Sequence, residues 1–163
     1  MPHSLLFRIL LCCATLCAAL RMAAQDQGLR GDSLYAIWND NSRPDTVRFV
    51  ALQRHARRFF YGGNPDSLLR IGRQLTAFAA VHNLKQEEGK ALNLIASAFT
   101  NKGDLDSSEH YLLRSAHMFE TLHDDHNLSV TLNNLGNTAS SRGDLAQAIE
   151  YLTRGLKITE ALG

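Results

Sequence analysis

An excess of charge of either sign is missing from this sequence, and proline is rare. The 163 residues carry 17 Lys and Arg against 16 Asp and Glu, a formal net charge of +1. This balance excludes the basic surface by which proteins bind nucleic acid. Three prolines and 11 glycines are too few for a disordered or fibrous chain. With 45% hydrophobic residues, the composition is that of one ordinary soluble domain.

Cysteine is confined to the amino terminus, where it occurs at Cys12, Cys13 and Cys17. All three lie in an apolar run, residues 9–20, which follows Arg8 and precedes the small residues Ala23 and Ala24. A basic start, a short apolar core and small residues before a polar boundary are typical of a secretory signal peptide. The run is shorter than the roughly 20 residues of a spanning helix. We predict a signal peptide over 1–24, cleaved after Ala24 or Ala19, with an uncleaved anchor as the alternative.

Removal of that segment leaves a mature chain without cysteine, with 15 of the 17 basic residues and all 16 acidic ones. Disulfides, thiolate zinc sites and cysteine nucleophiles are therefore excluded from the mature chain. It can enter an oxidising compartment without a thiol that mispairs. No later stretch is apolar enough to predict a membrane span. From the predicted signal peptide we expect an exported, periplasmic protein, with membrane association through a missing carboxy-terminal part as the alternative.

The mature sequence repeats with a period of 40 residues and no gaps. Gly63, Gly103 and Gly143 align in this register, and residues 103–123 share 8 of 21 positions with 143–163. Chance at ordinary residue frequencies gives roughly one or two. A constant period of this size indicates a stacked array of structural repeats.

Each repeat has the pattern of two helices. Leu132, Leu135, Gly136 and Ala139 follow the i, i+3, i+4, i+7 spacing of one helical face. A glycine–aspartate break follows in repeats two and three, where glycine can end one helix and aspartate can cap the next. We expect Gln147, three residues after Asp144, to complete a capping box. The six predicted helices span about 45–61, 65–82, 86–102, 105–122, 126–142 and 145–162.

Small and large residues alternate in this register. Ala56, Ala96 and Gly136 recur where the two helices of one hairpin are expected to press together. In the first repeat, Asn64-Pro65-Asp66 replaces the glycine–aspartate break, with proline where a helix start tolerates it. We assign the larger aromatic residues to the space between neighbouring hairpins: Phe59, Phe99, Tyr111 and Tyr151. This pattern predicts an all-α fold, an α-solenoid of three helix-turn-helix repeats.

Leu-x-x-Leu-Gly at 132–136, with Gly143-Asp144, Ala148 and Leu152, resembles the tetratricopeptide repeat. The resemblance covers residues 45–163, in units 45–84, 85–124 and 125–163. The sequence departs from the family pattern at Ala139, Leu68 and Leu75. Its 40-residue period also exceeds the usual period of about 34 residues. The resemblance implies a non-catalytic scaffold that binds a protein or peptide segment on its concave surface.

Residues 25–44 are predicted to form an entry segment with a short helix. The stretches 32–38 and 44–48 resemble the start of certain bacterial signalling proteins, which carry a signal peptide, a periplasmic array of these repeats and then a membrane span. Their output domain is a histidine kinase, a nucleotide cyclase or a DNA-binding domain. This resemblance implies that the chain is the exported sensory arm of such a protein and a fragment of its gene product. A complete small periplasmic adaptor is the alternative.

No catalytic motif was found. His-Glu-x-x-His and Gly-x-Ser-x-Gly are missing, and Gly89-Lys90 lacks the upstream glycine of a P-loop. We predict no enzyme activity and no cofactor. Histidines and carboxylates between His110 and His126 could bind zinc, nickel or copper. No strong spacing rule joins three ligands, so we interpret them as a solvated polar surface and predict no metal site.

Basic residues concentrate in the first repeat, with only Asp45 and Asp66 nearby: Arg48, Arg54, Arg57, Arg58, Arg70 and Arg73. They could attract an acidic peptide or anionic lipid, or simply form an exposed surface.

The candidate binding site lies on the first helices, which the resemblance places along the concave side. Asparagine is a mediocre helix former, yet five occur on two of these helices. An amide both donates and accepts, so it can hold the backbone of an extended peptide. The alternative is that a solvated groove is simply polar. We predict that the groove residues are Arg54, Arg57, Asn93, Asn101, Asn133, Asn134 and Asn137. The arginines would add affinity for a carboxylate.

A second hypothesis is structural. Leu152, Leu156 and Ile158 are left partly uncovered at the end of the third repeat, which favours self-association through that end. In that case the array would be an oligomerisation module without a separate ligand.

Overall fold

The computed structural model describes residues 33–59 and 63–163, and all regular structure in these ranges is helical. The predicted signal peptide and the first part of the entry segment lie outside the described residues. A short helix α1 covers 33–39. It is followed by α2 (Asp45–Ala56), a 3-10 turn (Arg57–Phe59), α3 (Pro65–Val81), α4 (Lys85–Lys102), α5 (Leu105–Thr121), α6 (Asp125–Arg142) and α7 (Leu145–Leu162).

The predicted helix pattern is confirmed, and five of the six predicted helices agree with the structure to within one residue at each end. The exception is the first, predicted to run to 61. The α-helix ends at Ala56 and tightens into the 3-10 turn. Ala56 is the last fully buried residue of α2, and both Arg57 and Arg58 are exposed. Without an apolar face to pack, helix propensity alone holds little of a helix end together.

The turns within repeats two and three form as the sequence predicts. Gly103 and Gly143 end α4 and α6 at φ 78° and 94°, a left-handed conformation that glycine adopts without strain. Asp104 then caps α5 by accepting the amide of Ser107 at 3.0 Å. In the first repeat Asn64 caps α3, accepting the amide of Asp66 at 2.9 Å.

The predicted capping box at the start of α7 is wrong. The side chain of Asp144 makes no cap hydrogen bond there. Its carboxylate instead accepts from Nε of Arg142, and Oε1 of Gln147 accepts from the same guanidinium at 3.1 Å. A charged donor outcompetes a backbone amide for these two acceptors, because charge-assisted hydrogen bonds are roughly twice as strong.

Helix contacts give the array its curvature. Each hairpin packs on the next, and the first helices also contact one another, α2 with α4 and α4 with α6. Among the described residues, the second helices α3, α5 and α7 make no such contacts with each other. The side on which the helices crowd together is the inner one. The first helices α2, α4 and α6 therefore form one continuous inner wall, which we call the first-helix wall.

Close helix approach depends on the small residues. A Cβ built on Gly136 would lie 2.6 Å from Cγ of Leu152, so α6 and α7 meet there as predicted. The aromatic prediction needs correction, because Phe99 and Tyr111 stack within one hairpin, with centroids 5.4 Å apart. Tyr111 also packs against both hydrophobic clusters of the core. It thus links the two clusters as well as its own pair of helices.

Ion pairs connect successive repeats at equivalent positions. Lys102 at the end of α4 pairs with Asp66 near the start of α3. Forty residues on, Arg142 at the end of α6 pairs with Asp106, and also with Glu109. The hydrogen bonds that the Arg142 guanidinium donates to the Glu109 and Asp144 carboxylates raise the pKa of Arg142 above its ordinary value. Because these pairs are exposed or only partly buried, each is expected to add little stability.

Asp124 caps α6 and also contacts the preceding hairpin. Its carboxylate accepts the Asn127 amide at 3.1 Å and the side chain of Gln86 at 2.6 Å. Partial burial opposes ionisation, but the hydrogen bonds from Asn127 and Gln86 outweigh it and hold the pKa of Asp124 below its ordinary value. A lowered pKa means that the stabilisation is present at neutral pH and is lost as the pH falls through the folded-state pKa.

We therefore expect Asp124→Ala to lower the free energy of unfolding by about 1 kcal/mol at pH 7. The difference from wild type should shrink as the pH falls below the ordinary aspartate pKa of about 3.9 and on through the lowered pKa of Asp124 in the folded state. Urea unfolding followed by circular dichroism at pH 7 and below that ordinary pKa measures this. Asp125→Ala, at the exposed next residue, is the matched control. Equal losses in the two variants would contradict the assigned cap.

Candidate functional site

The first-helix wall contains a small polar hollow between α4, α5 and α6. Its volume is about 160 Å³. Three of the predicted groove residues, Asn101, Asn134 and Asn137, line it. We call it the amide hollow. Its remaining lining residues are Ala96, Ser97, Thr100, Ser108, Leu112 and Thr138.

Hydroxyl groups form the floor of the amide hollow. The hydroxyls of Thr100 and Ser108 lie 2.8 Å apart, and those of Ser108 and Thr138 lie 3.5 Å apart. Ser108 is fully buried and Thr138 nearly so, whereas Thr100 is exposed beside them, and Asn101 and Asn137 are exposed at the rim. The floor hydroxyls bond to each other, and the rim presents amide groups toward solvent. Such a rim can both donate to and accept from a peptide backbone.

Asn133 and Asn137 hydrogen-bond to each other along α6. Nδ2 of Asn137 donates to Oδ1 of Asn133 at 3.0 Å, which orients both amides. Asn133 and Asn134 also line a second, larger hollow of about 490 Å³, bounded by Val130 and by Leu162 of α7. Asn134 therefore lies between the two hollows, and the three amides of α6 form one polar strip along the wall.

Asn93 has a different environment from the other asparagines. Its Nδ2 donates to Oγ1 of Thr131 at 2.9 Å, which joins α4 to α6. Its Oδ1 is buried and, within the part of the chain that the structure describes, has no hydrogen-bond partner. The contact places Asn93 in the joint between two repeats. The sequence showed the asparagine but not the hydroxyl 38 residues away that binds it.

Arg54 and Arg57 are exposed at the amino-terminal end of the wall. Arg54 borders an apolar hollow of about 290 Å³ that Val47, Val50 and residues of α1 complete. Within 33–59 and 63–163, neither arginine side chain takes part in a hydrogen bond or ion pair. Both guanidinium groups can therefore meet a carboxylate of a bound segment.

The other arginines of this repeat are Arg48, which is partly buried, and three exposed residues, Arg58, Arg70 and Arg73. Arg48 is structural: Nε donates to the carbonyl of Trp38 at 3.0 Å, and the guanidinium lies 4.9 Å from the ring centroid of Phe78. Asp45 pairs with Arg48 and His82, and Asp66 pairs with Lys102. Because both nearby carboxylates are engaged, the positive charge of the exposed arginines stays uncompensated locally.

The structure identifies several site residues that the sequence analysis did not. Thr100, Ser108 and Thr138 line the amide hollow, and none of them is among the predicted groove residues. The hydroxyl residues Thr100 and Ser108 flank the turn between α4 and α5, and this spacing is the feature of the sequence from which their proximity could have been predicted.

Across the described residues, no group of three His, Cys, Asp or Glu side chains is arranged to hold a metal ion. In the same ranges, no helix combines the length and apolarity that crossing a membrane requires.

Comparison with known proteins gives a family match over part of the chain and a shared fold. Residues 87–161 match the family model described as Tetratricopeptide repeat. The crystal structure of the TPR domain of Arabidopsis FLU superposes with a TM-score of 0.64 at 14% identity, covering 72% of this chain and 99% of that one. BtubC (BKLC) from P. vanneervenii superposes with a TM-score of 0.51 at 16% identity, covering 89% and 78% respectively. No curated protein matches the chain. At these identities the structural likeness concerns the fold.

Proposed function

We propose that this chain, whose residues 87–161 carry tetratricopeptide repeats, is a non-catalytic scaffold that binds an extended segment of another protein along its first-helix wall. The observation that carries the proposal is the amide hollow with its polar strip. Asn101, Asn134 and Asn137 converge on one concave site from two helices. Repeat arrays of this kind use their curved inner surface for binding.

The chemistry of the wall selects the kind of segment. Side-chain amides pair with the donors and acceptors of a peptide backbone whatever its sequence. Arg54 and Arg57 lie toward the other end of the wall and add a preference for a carboxylate, from an acidic side chain or a chain terminus. The partner is therefore an extended peptide segment with negative charge at one end.

The test is a peptide-display selection on the purified chain, followed by calorimetry with the selected peptide. We expect Asn101→Ala with Asn137→Ala to weaken binding about tenfold or more, because each neutral hydrogen bond contributes about 1 kcal/mol. His117→Ala, an exposed change on α5 away from the wall, is the control and should leave affinity unchanged. Equal weakening by the control and the double variant would contradict the assigned site.

A separate variant tests the charged end. Arg54→Ala with Arg57→Ala should weaken binding and reduce its dependence on salt, because screening acts on exposed charge pairs. An unchanged salt dependence would remove these arginines from the proposed site.

For cellular context, we propose that the chain is exported and serves as the sensory or interaction arm of a bacterial signalling protein. The amino-terminal pattern over 1–24 and the resemblance of the entry segment support this. Fractionation of an expressing cell, with sequencing of the mature amino terminus, tests it. A periplasmic product that starts at Gln25 or Leu20 is expected. A cytoplasmic product that retains Met1 would contradict export.

A further inference from the structure

An open pocket lies in the first repeat between α1, α3 and the end of α2 with its 3-10 turn. Its volume is about 460 Å³, within the roughly 300–1,000 Å³ that is usual for small-molecule sites. Each of the three elements contributes two polar side chains, spaced three or four residues apart so that the two lie on one helical face. These six residues are Tyr35, Asn39, His55, Arg58, Arg70 and Gln74. We call this cavity the arginine pocket.

The interior repeats show that the arginine pocket differs from an uncovered helix-packing face. Forty and 80 residues after His55 and Arg58, the chain carries Ile95, Ala98, Leu135 and Thr138, all of them buried. In the second repeat the preceding helix α3 packs on this position, where a Cβ built on Gly72 would lie 2.7 Å from Cγ1 of Ile95. A packing face left open by a missing helix would therefore be mostly apolar. The first repeat carries an imidazole and a guanidinium there, which suit a polar ligand.

The positive charge of the arginine pocket has no counter-charge within the part of the chain that the structure describes. None of the described lining residues is acidic. Asp40 accepts from the hydroxyl of Ser42 at 2.6 Å and pairs with Arg43 at 3.0 Å. The other acidic residues described between 33 and 84, Asp45 and Asp66, form the ion pairs given above. In the same ranges Arg70 makes no hydrogen bond or ion pair, so both guanidinium charges of the pocket are uncompensated.

Contacts within the protein hold one wall of the arginine pocket in place. Nη1 of Arg58 lies 3.4 Å from Nδ1 of His55, and its guanidinium lies 5.5 Å from the ring centroid of Phe59. The His55 ring lies 5.5 Å from the ring of Tyr35, which joins α2 to α1. Ile71, 3% exposed, forms the floor. A wall already ordered by such contacts lowers the entropy cost of binding.

Helix-end electrostatics explains only one of the two arginines. A basic residue near the carboxyl end of a helix interacts favourably with the helix dipole. Arg58 fits this description, because it follows the end of α2. Arg70 lies in the second turn of α3, five residues after Pro65, where the dipole does not favour a cation. Its position beside Arg58 therefore needs another reason, and a bound anion supplies one.

The donors of the arginine pocket favour a phosphate group over a carboxylate. Arginine side chains only donate hydrogen bonds, and the amides of Asn39 and Gln74 can also donate. A phosphate monoester carries about −1.5 to −2 charges at pH 7 and three strong acceptor oxygens. A carboxylate has one charge and two oxygens. Phosphate therefore neutralises both guanidinium groups and engages more of the donors, and the planar fork of arginine binds it in a bidentate manner.

We propose that the arginine pocket binds the phosphate group of a soluble phosphorylated small molecule, with Arg58 and Arg70 on the phosphate oxygens. The concave shape, closed below by Ile71, admits a small molecule more readily than the flat surface of a bilayer. The pocket shares no lining residue with the amide hollow or with the apolar hollow beside Arg54. The proposal is thus independent of the peptide-binding function, and either can fail alone.

The first test is isothermal titration calorimetry of the full chain at pH 7 and constant ionic strength, with inorganic phosphate and with phenyl phosphate. We expect saturable binding that Arg70→Gln weakens about tenfold or more, because charge-assisted hydrogen bonds are lost. Arg73→Gln is the matched control, because it removes the same charge from an exposed position of α3 that does not line the pocket. Circular dichroism verifies that both variants remain helical.

Two results of the titration overturn the proposal. One is that neither phosphate compound shows saturable binding up to about 20 mM, a concentration well above the dissociation constant of even a weak site. The other is equal weakening by Arg70→Gln and Arg73→Gln, which would show attraction by the overall positive charge and no defined site.

A second titration tests the choice of phosphate. Benzoate has the same ring as phenyl phosphate but carries a carboxylate. We expect it to bind about tenfold more weakly or less, because it has half the charge and fewer acceptor oxygens. Equal affinities for benzoate and phenyl phosphate would overturn the assignment of the pocket to a phosphate group.

A third measurement distinguishes a soluble ligand from a lipid headgroup. Phosphatidic acid presents the same phosphate monoester on a membrane, so the chain is sedimented with phosphatidylcholine vesicles that contain or lack phosphatidic acid. We expect no difference between the two vesicles. Binding to the phosphatidic acid vesicles that Arg70→Gln removes and Arg73→Gln retains would assign the pocket to a lipid headgroup and overturn the soluble ligand.

Discussion

Phe119→Ala is expected to lower the free energy of unfolding by about 3–5 kcal/mol, the usual range for a buried phenylalanine. Phe119 is fully buried in the core cluster of the second and third repeats. Its ring lies against Gly89 of α4, since a Cβ built there would be 2.7 Å from Cζ of Phe119. The truncation leaves a cavity between two helices that cannot close around it. Urea unfolding followed by circular dichroism measures the loss.

The first repeat suggests a second substitution that would recover part of the stability lost in Phe119→Ala. Its counterpart of Gly89 is Phe49 and its counterpart of Phe119 is Ala79, both fully buried. One repeat therefore places the ring on its first helix and the other places it on its second helix. We expect Phe119→Ala with Gly89→Phe to recover part of the lost stability. Gly89→Phe alone should destabilise through overpacking, by about 1–3 kcal/mol or more. A double variant no more stable than Phe119→Ala would show that the two ring positions are not interchangeable.

Leu112→Ala is the second large effect, with an expected loss of about 2–5 kcal/mol. Leu112 is 2% exposed, because α6 covers α5. Leu152 occupies the same position in the third repeat and is 39% exposed. We expect Leu152→Ala to cost about 1 kcal/mol or less when measured at 1 µM, because much of its surface already contacts solvent.

The comparison of these two leucine variants also bears on self-association. A dimer formed through α7 would bury Leu152, and the cost of Leu152→Ala would then rise with protein concentration while that of Leu112→Ala stays constant. Unfolding curves at 1 and 100 µM measure this. A cost of Leu152→Ala that equals the cost of Leu112→Ala at 1 µM would show that the third repeat is already covered within one chain.

Much of this fold could be predicted from the sequence, because the interactions that define it are local and repeated. The apolar spacing predicts α6 to within one residue, and glycine at 103 and 143 specifies the left-handed turns. The candidate site was only partly predictable. Asn101, Asn134 and Asn137 do meet at one hollow, but Thr138 and Ser108, which form its floor, come from helices whose contact no local pattern reports.

The sequence by itself determined the 40-residue period, the bounds of five of the six repeat helices and the two left-handed glycine turns. The helices and turns could be predicted because each depends on residues fewer than about five positions apart. Only the tertiary structure decided how individual side chains are used. It turned Asn93 toward Thr131, 38 residues away, and placed the ring of Phe119 over Gly89, 30 residues away. It also left Leu152 39% exposed, although its counterpart Leu112 is 2% exposed. Burial depends on which helix packs on which, and that is a property of the array rather than of any single repeat.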